Sequence, residues 1–408
     1  MRKLLRAAGN PEKAFDSILV AGTNGKGSTS AVLSSILCES GLRSGLYTSP
    51  HLVDIGERWQ IERRDADDEV LHDAVERLER AARIAGLKPT YFEALTCVAF
   101  LLFEAERCDL AVLEVGMGGR LDATNVVRPI ASLITPVDFD HVEFLGETIT
   151  GIAAEKAGII HRGAIVLTNN SDPAVLRVIG RRAERFGITP HIVSSDGPRS
   201  SRTQNGRTRY VERTATSEYS VNTSLVGEHQ GSNVRLAIRA AEELAGRFPG
   251  IGRRVIEEGV RKARWRGRLE KFEIGEKQIW VDGAHNPAAS KMVAEFKRTK
   301  LGKGGTLIFG VLDDKDVTSM TEILFPLFRE VILTEPPGTP RALPVAKLVP
   351  PARRYARHFK VRRRASEALR EALDGPNRER VVVCGSLYLA GHAVGWLDRR
   401  IHRNRSCD

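Results

Sequence analysis

The order of elements along this chain predicts an α/β protein with mainly parallel sheets, built as a larger N-terminal unit and a smaller C-terminal one. Short apolar runs alternate with helical stretches along most of the 408 residues, the pattern of strands joined by helical crossovers. The first apolar run, at 17–21, leads through Gly22-Thr23-Asn24-Gly25-Lys26-Gly27-Ser28 into a helical stretch. A second alternating series begins after Trp265-Arg266-Gly267-Arg268.

Strands are expected at 17–21, 43–47, 110–115, 131–135 and 164–167, each a short run dominated by apolar side chains. Helices are expected at 28–39, 67–84, 92–106, 148–157 and 173–186. Residues 198–204 are polar and rich in Ser and Arg, and read as a loop. Residues 207–225 alternate like an antiparallel hairpin, and helices follow at 230–245 and 251–263. In the second series 278–282, 306–311, 330–333 and 380–384 read as strands, with helices starting near Pro287, Val317 and Ser366. The expected domains are 1–264 and 268–408.

Composition narrows the class. The chain is 42% hydrophobic and 28% charged, as soluble globular proteins are. Its longest apolar run, 94–103, is too short to span a bilayer, and Met1-Arg2-Lys3-Leu4-Leu5-Arg6 lacks the apolar core of a signal peptide. No membrane partner is expected, and cytoplasm is the default. Cys38, Cys97, Cys108, Cys384 and Cys407 are odd in number and without metal-ligand spacing, so a disulfide framework is not expected. The net charge of +11 is spread along the chain. No nucleic-acid partner is expected from it, although a basic surface would draw in polyanionic small molecules. A monomer is expected.

Strand, glycine loop, lysine, hydroxyl and helix together make a phosphate cradle. Glycines let backbone N–H groups approach phosphate oxygens, the helix N-terminus adds positive potential, and Lys26 supplies a point charge. The loop departs from the Walker A pattern, in which a hydroxyl follows the lysine directly; here Gly27 intervenes before Ser28. The N-terminal unit therefore reads as a P-loop ATPase domain, and the C-terminal unit as a Rossmann-like α/β domain.

Ligands of open parallel sheets bind at the carboxyl ends of strands. Thr48-Ser49-Pro50-His51 follows the second expected strand, Glu114 closes the third, and Asp138, Asp140 and His141 follow the next. Alone, Ser49 could be a turn residue, Glu114 a surface carboxylate and His141 a satisfied polar group. Together they deliver hydroxyl, carboxylate and imidazole to one edge. Ser49 and Glu114 suit Mg²⁺, which takes few hard oxygen ligands beside water and phosphate; His141 is a softer ligand. Lys156, on an expected helix, reads by itself as an ordinary exposed surface lysine next to Glu155.

These segments resemble the folylpolyglutamate synthase/dihydrofolate synthase family, a branch of the Mur ligase superfamily, from about Ile18 to Gly391. The match lies in the glycine loop, Tyr47–Leu52, Glu57-Arg58, Phe92-Glu93, Glu114–Asn125, Asp140-His141, Glu155–Ile159 and Asp282–Pro287, in this order. The resemblance implies ATP bound by Gly25, Lys26, Gly27, Ser28, Asn233, Arg268 and Asp282, bridging the domains. It implies Mg²⁺ held by Ser49, Glu114, His141 and Lys156, the last carrying a CO₂-derived carbamate. Lys26, Lys156 and His285 would serve catalysis, and Phe92, Glu93, Leu121, Asp122 and Ala123 would line the folate side. The implied reaction is ATP-dependent addition of L-glutamate to a folate through an acyl phosphate. Folylpolyglutamate synthesis is expected ahead of dihydrofolate synthesis. Segments 310–316 and 386–388 match the family without an assigned role.

Two departures fall on the folate side. The Asn-Gly or Asp-Gly turn usual after Glu-Arg is replaced within Glu57-Arg58-Trp59-Gln60-Ile61-Glu62-Arg63-Arg64, and only positions 1–16 precede the first strand. The rival readings are a Mur-type ligase acting on a UDP-sugar and a nucleotide-binding regulatory protein without turnover. The second could dispense with Glu114, His141 and Lys156, all of which are present.

Overall fold

The strand Asp16–Ala21 (β1) has Ser17 to Ala21 buried and pairs in parallel on both sides. A strand covered on both faces needs a continuous apolar run, which Ile18-Leu19-Val20-Ala21 provides. It is the centre of an eight-stranded sheet that also contains Ser44–Tyr47 (β2), Trp59–Ile61 (β3), Arg64–Asp65 (β4), Leu110–Glu114 (β5), Ala131–Ile134 (β6), Ile165–Thr168 (β7) and His191–Ile192 (β8). The order is β4-β3-β2-β5-β1-β6-β7-β8. All neighbours are parallel except the β2–β3 and β3–β4 pairs. The chain leaves β1 for β2 on one side and later crosses from β5 to β6 on the other. The carboxyl end of β1 is therefore a topological switch point, where a crevice opens for ligands.

The computed structural model describes residues 1–140, 142–198, 200–374 and 380–405, with 142 and 403–405 by backbone only. They divide into two compact units, Met1–Ser224 with Glu228–Trp265, and Leu225–Gly227 with Arg266–Asp408. In the first unit the helix Tyr91–Ala105 is buried from Leu95 to Phe103 and forms much of the core. Thr90 and Glu93 close a capping box at its start, satisfying N–H groups that the helix itself cannot.

A small antiparallel sheet completes this unit: Arg202–Gln204 (β9), Arg207–Arg213 (β10) and Glu218–Thr223 (β11), in the order β11-β10-β9. The expected hairpin is β10 with β11, and Thr208, Tyr210 and Glu212 point inward between exposed neighbours. The expected loop at 198–204 is corrected, because Arg202–Gln204 forms a third strand. The signal was Asn205-Gly206, whose positive φ values of 50° and 68° close the tight turn between β9 and β10.

The second unit holds a six-stranded sheet: Glu270–Ile274 (β12), Lys277–Val281 (β13), Thr306–Phe309 (β14), Glu330–Glu335 (β15), Phe359–Arg364 (β16) and Arg380–Cys384 (β17), in the order β12-β13-β17-β14-β15-β16. All pairs are parallel except β12–β13. The two edge strands β12 and β16 were not expected. Their sequences, Glu-Lys-Phe-Glu-Ile and Phe-Lys-Val-Arg-Arg-Arg, are mostly charged, as exposed edges tend to be. The helix Val345–Tyr355 was also unexpected, since Pro350 and Pro351 lie inside it.

The missing Asn-Gly turn has a counterpart. Glu62 and Arg63 join β3 to β4 with φ of 50° and 67°, the left-handed backbone that Asn205-Gly206 adopts at the β9–β10 turn. Glutamate and arginine pay a steric cost there that asparagine largely avoids. Glu62→Asn should therefore raise stability by up to about 1 kcal/mol, read as a higher midpoint in guanidinium unfolding.

Candidate active site

At the carboxyl end of β1 the chain turns through Gly22 to Gly25 into the helix Lys26–Glu39. Gly25 caps this helix with φ 88°, and a Cβ there would lie 2.4 Å from Asn233 Oδ1. A Cβ on Gly22 would lie 1.8 Å from Thr135 Oγ1. Only glycine fits either place. Thr23 ties the loop to the exit of β6: its N–H donates to Pro136 O (2.9 Å) and its hydroxyl to Asp138 O (2.9 Å), while Asp138 N donates back to Thr23 Oγ1 (3.0 Å). Lys26 folds over the loop and donates to the carbonyls of Gly22 and Thr23, both at 3.1 Å.

Lys156 reaches the same place from the helix Ile149–Ala157, and its Nζ donates to Gly22 O at 2.8 Å. It is only 4% exposed, so the reading of an ordinary surface lysine does not hold. Its neighbour Glu155 turns the other way and pairs with Arg120 at 2.9 Å. Burial disfavours the Lys156 ammonium and the nearby Lys26 charge adds repulsion, while Asp140 and Asp122 pull the other way. The net effect pushes its pKa down to about 7.

Glu114, the last residue of β5, is buried, and its Oε2 accepts from Ser49 N at 3.2 Å. Ser49 follows β2 and enters a cis peptide bond with Pro50. The loop beyond is organised by two residues given no role in the sequence reading. Glu57 accepts from the N–H groups of Leu52 (2.7 Å), Val53 (2.9 Å) and Asp54 (3.1 Å). Buried Arg58 donates to His51 Nδ1 at 3.0 Å. Their signal was a charged pair just ahead of an apolar strand. Ser49 and Glu114 present hard oxygen donors beside the phosphate loop, and this donor chemistry suits Mg²⁺. Among the described residues no cluster of three His, Cys, Asp or Glu could hold a metal. His141 lies outside the described residues.

The five residues expected on the folate side differ in what they offer. Phe92 is half-buried and lies under Gly116, where a Cβ would meet Phe92 Cζ at 2.4 Å. Glu93 uses its carboxylate in the helix cap, accepting from Thr90 N at 3.0 Å. Asp122 accepts from Gly116 N (3.1 Å), Met117 N (3.0 Å), Thr124 N (3.0 Å) and Thr124 Oγ1 (2.6 Å), so the loop after β5 is folded around it. Ala123 is buried, and Leu121 projects with 79% exposure.

In the second unit Asp282 follows β13 and accepts from Leu269 N (2.9 Å) and Ala284 N (2.8 Å). Burial raises its pKa, and the Arg268 guanidinium opposes the shift. A Cβ on Gly283 would meet Arg268 Nη1 at 2.2 Å, so Arg268 lies against this strand end. His285 Nδ1 lies 2.8 Å from Gly283 O, which fixes the proton on Nδ1. Asn286 caps the helix Pro287–Phe296. Two family-like segments without assigned roles contain caps: Asp316 accepts from Ser319 N (3.0 Å), and Ser386 Oγ from Leu389 N (3.1 Å). Of the residues expected to bind ATP, Gly25, Lys26, Gly27, Ser28 and Asn233 thus come together in the first unit, and Arg268 and Asp282 in the second.

A glycine phosphate loop at a switch point, with a buried lysine and a strand-end carboxylate beside it, is the arrangement of a Mur-type ligase. The Mur ligase middle domain matches residues 20–241, and the Mur ligase glutamate ligase domain matches residues 267–387. Folylpolyglutamate synthase of Lacticaseibacillus casei is 35% identical over 410 residues, which cover 95% of this chain and 91% of that protein. Dihydrofolate synthase/folylpolyglutamate synthase of Bacillus subtilis is 35% identical over 338 residues, covering 79% of this chain and 77% of that protein. The solved structure of Mycobacterium tuberculosis folylpolyglutamate synthase complexed with ADP aligns with a TM-score of 0.89 at 29% identity, over 97% of this chain and 93% of that one. The chain belongs to the folylpolyglutamate synthase/dihydrofolate synthase family of Mur ligases.

The hydrogen bonds of Asp122 make a prediction that separates folding from binding. Asp122→Ala leaves four donors without their acceptor and should lower stability by about 2–4 kcal/mol in urea unfolding. Unchanged stability with a raised KM for the acceptor would instead make Asp122 a substrate residue.

Proposed function

We propose that this chain uses ATP to join the amine of L-glutamate to a carboxylate of a folate. The observation that carries the reading is the convergence of Lys26 and buried Lys156 on the Gly22 carbonyl, just beyond the strand residue Val20 that pairs with Glu114. A loop that gathers two lysines at a helix N-terminus is built for a polyanion, and a carboxylate beside it is built for the accompanying cation.

In this reading the acceptor carboxylate attacks the γ-phosphorus of ATP. The bond from that phosphorus to the β–γ bridging oxygen breaks, and its electron pair leaves with ADP. The glutamate amine then attacks the acyl carbon, loses its proton, and phosphate departs with the acyl C–O electron pair. Lys26 exchanges the Gly22 and Thr23 carbonyls for phosphate oxygens. N–H groups from Gly25 to Ser28 cradle the phosphates, with Asn233 beside Gly25; in the second unit Arg268 and Asp282 are proposed as nucleotide contacts from the family match alone. In the second unit His285 is the proposed catalytic residue, with Nδ1–H anchored on Gly283 O. Ser49, Glu114 and His141 would hold Mg²⁺, which neutralises phosphate charge when bound. Positioning and charge neutralisation supply most of the rate.

Lys156 is the residue whose chemistry is least ordinary. With its pKa near 7, much of its amine is neutral at physiological pH and can attack CO₂. The product is a carbamate plus one released proton. A cation beside a metal site thereby becomes an anionic oxygen ligand. Phe92 and Leu121 would line the acceptor side, with Glu93, Asp122 and Ala123 shaping its wall. The working enzyme is taken as a cytoplasmic monomer; the free thiols of Cys38, Cys97, Cys108 and Cys384 accord with a reducing compartment.

Two measurements test this. Phosphate release with ATP, Mg²⁺ and glutamate should be faster with tetrahydrofolate than with dihydropteroate, and absent with a UDP-sugar. Comparable rates on both pteridines would assign both activities, as in the name of the Bacillus subtilis relative. Enzyme stripped of CO₂ should regain activity when CO₂ is restored at a fixed dissolved concentration, faster as pH rises through about 7 and level above it, because only the neutral amine reacts. Recovery that still climbs towards the ordinary lysine range would place Lys156 outside this role.

A further inference from the structure

The residue that separates this loop from a Walker A loop, Gly27, is not required by its backbone. Its φ lies outside the left-handed region, and it sits in the first turn of a helix, where alanine would be favoured by about 1 kcal/mol. What excludes a side chain is Trp265. A Cβ on Gly27 would meet Trp265 Cζ2 at 2.4 Å, Cε2 at 2.8 Å and Nε1 at 3.1 Å. The indole edge lies directly on the turn that carries Lys26 and Ser28.

Trp265 closely follows a segment that packs on the C-terminal half of the phosphate helix. Near the far end, a Cβ on Gly250 would meet Ser40 O at 2.7 Å. Along the helix Arg253–Lys262, Gly259 packs so closely that its Cβ would lie 2.4 Å from Ile36 Cα, and Gly259 O accepts from Ser35 Oγ at 2.7 Å. Lys262 pairs with Glu39 at 2.8 Å. The chain then reaches Ala263 and Trp265, the last residue of the first unit. The indole Nε1 is buried and has no hydrogen-bond partner among the described residues. An indole donor left unpaired is costly, which argues that the ring is kept there for its shape.

We infer that Trp265 is a positioning residue for the phosphate loop: its indole sets the height of the Lys26–Ser28 turn, and Gly27 is the complementary notch. This rests on the reading that Gly22 to Ser28 binds the phosphates of ATP. The pair explains why a glycine follows the lysine in this loop, and it extends the nucleotide machinery to a side chain more than two hundred positions away in sequence.

The test is titration of the full chain with a fluorescent ATP analogue in Mg²⁺, alongside steady-state KM values for ATP and for glutamate. Gly27→Ala should weaken nucleotide binding by about 10²-fold, since a displacement near 1 Å can cost that much. Trp265→Leu should weaken it by about tenfold, and Trp265→Phe, which keeps a ring in the notch, by less than about threefold. The KM for glutamate should stay put, whereas a merely structural role would lower the active fraction and leave affinity for ATP unmoved. The double variant Gly27→Ala/Trp265→Leu should bind more tightly than Gly27→Ala alone, because the clash is gone. Additive losses in the double variant would overturn the inference. If Gly27→Ala does not fold, the contrast between Trp265→Leu and Trp265→Phe decides alone, and equal affinity in both and in the wild type would overturn it. Lys26→Ala is the control for the underlying reading. If it leaves affinity intact the loop does not bind phosphate, and the inference falls with it; if it weakens binding while the Trp265 variants do not, the inference alone fails.

Discussion

The carbonyl oxygen of Gly22 accepts a hydrogen bond from Lys26 and another from Lys156, and the first unit is arranged to hold those two side chains together. Strand β1 delivers the carbonyl, the helix that follows delivers Lys26, and the helix Ile149–Ala157 delivers Lys156 from the far side of β6. Lys156 is buried, and its burial together with the neighbouring Lys26 charge, against the pull of Asp140 and Asp122, brings its pKa to about 7. That shift links the packing of the unit to its chemistry. An amine that is readily neutral is a nucleophile, and one that points at a phosphate loop is placed where a new anion would matter.

Around this contact the strand ends are fixed by hydrogen bonds within the protein. Thr23 and Asp138 lock the loop to the exit of β6. Ser49 N sits on Glu114, while Glu57 and Arg58 fold the loop beyond it. Asp122 gathers four donors behind the end of β5. A site whose polar groups are held before ligands arrive has less to reorganise during reaction. Trp265 belongs to the same logic, since a rigid ring under the first turn of the phosphate helix limits how far Lys26 and Ser28 can drift.

Much of this was legible in the sequence, because strong signals coincided. The apolar strand at 17–21, the glycines and lysine after it, and polar groups at successive strand ends each have a local cause. They predicted α/β units, as observed, with a glycine loop leading from the first strand into a helix. What was not legible depended on contacts distant in sequence. Lys156 reads as a surface residue until the fold buries it against Gly22. Trp265 reads as part of a boundary until its ring is found on Gly27. The strands β12 and β16 were hidden because edge strands need only one partner and tolerate charge. The turn at Glu62-Arg63 is hidden because its residues do not advertise a left-handed backbone, whereas Asn205-Gly206 does. For Glu93 and Asp122, motif position points to the substrate side and does not show that their carboxylates also accept backbone N–H groups.

The chemistry proposed for this constellation is activation of a carboxylate by phosphorylation. The most direct measurement labels the acceptor carboxylate oxygens with a heavy isotope, runs the ligation to completion with ATP and glutamate, and analyses the released phosphate by mass spectrometry. An acyl phosphate transfers one labelled oxygen to phosphate as the amide forms, and that is the predicted result. Phosphate released without label, alongside normal amide product, would mean that the carboxylate never attacked phosphorus, and would contradict the account.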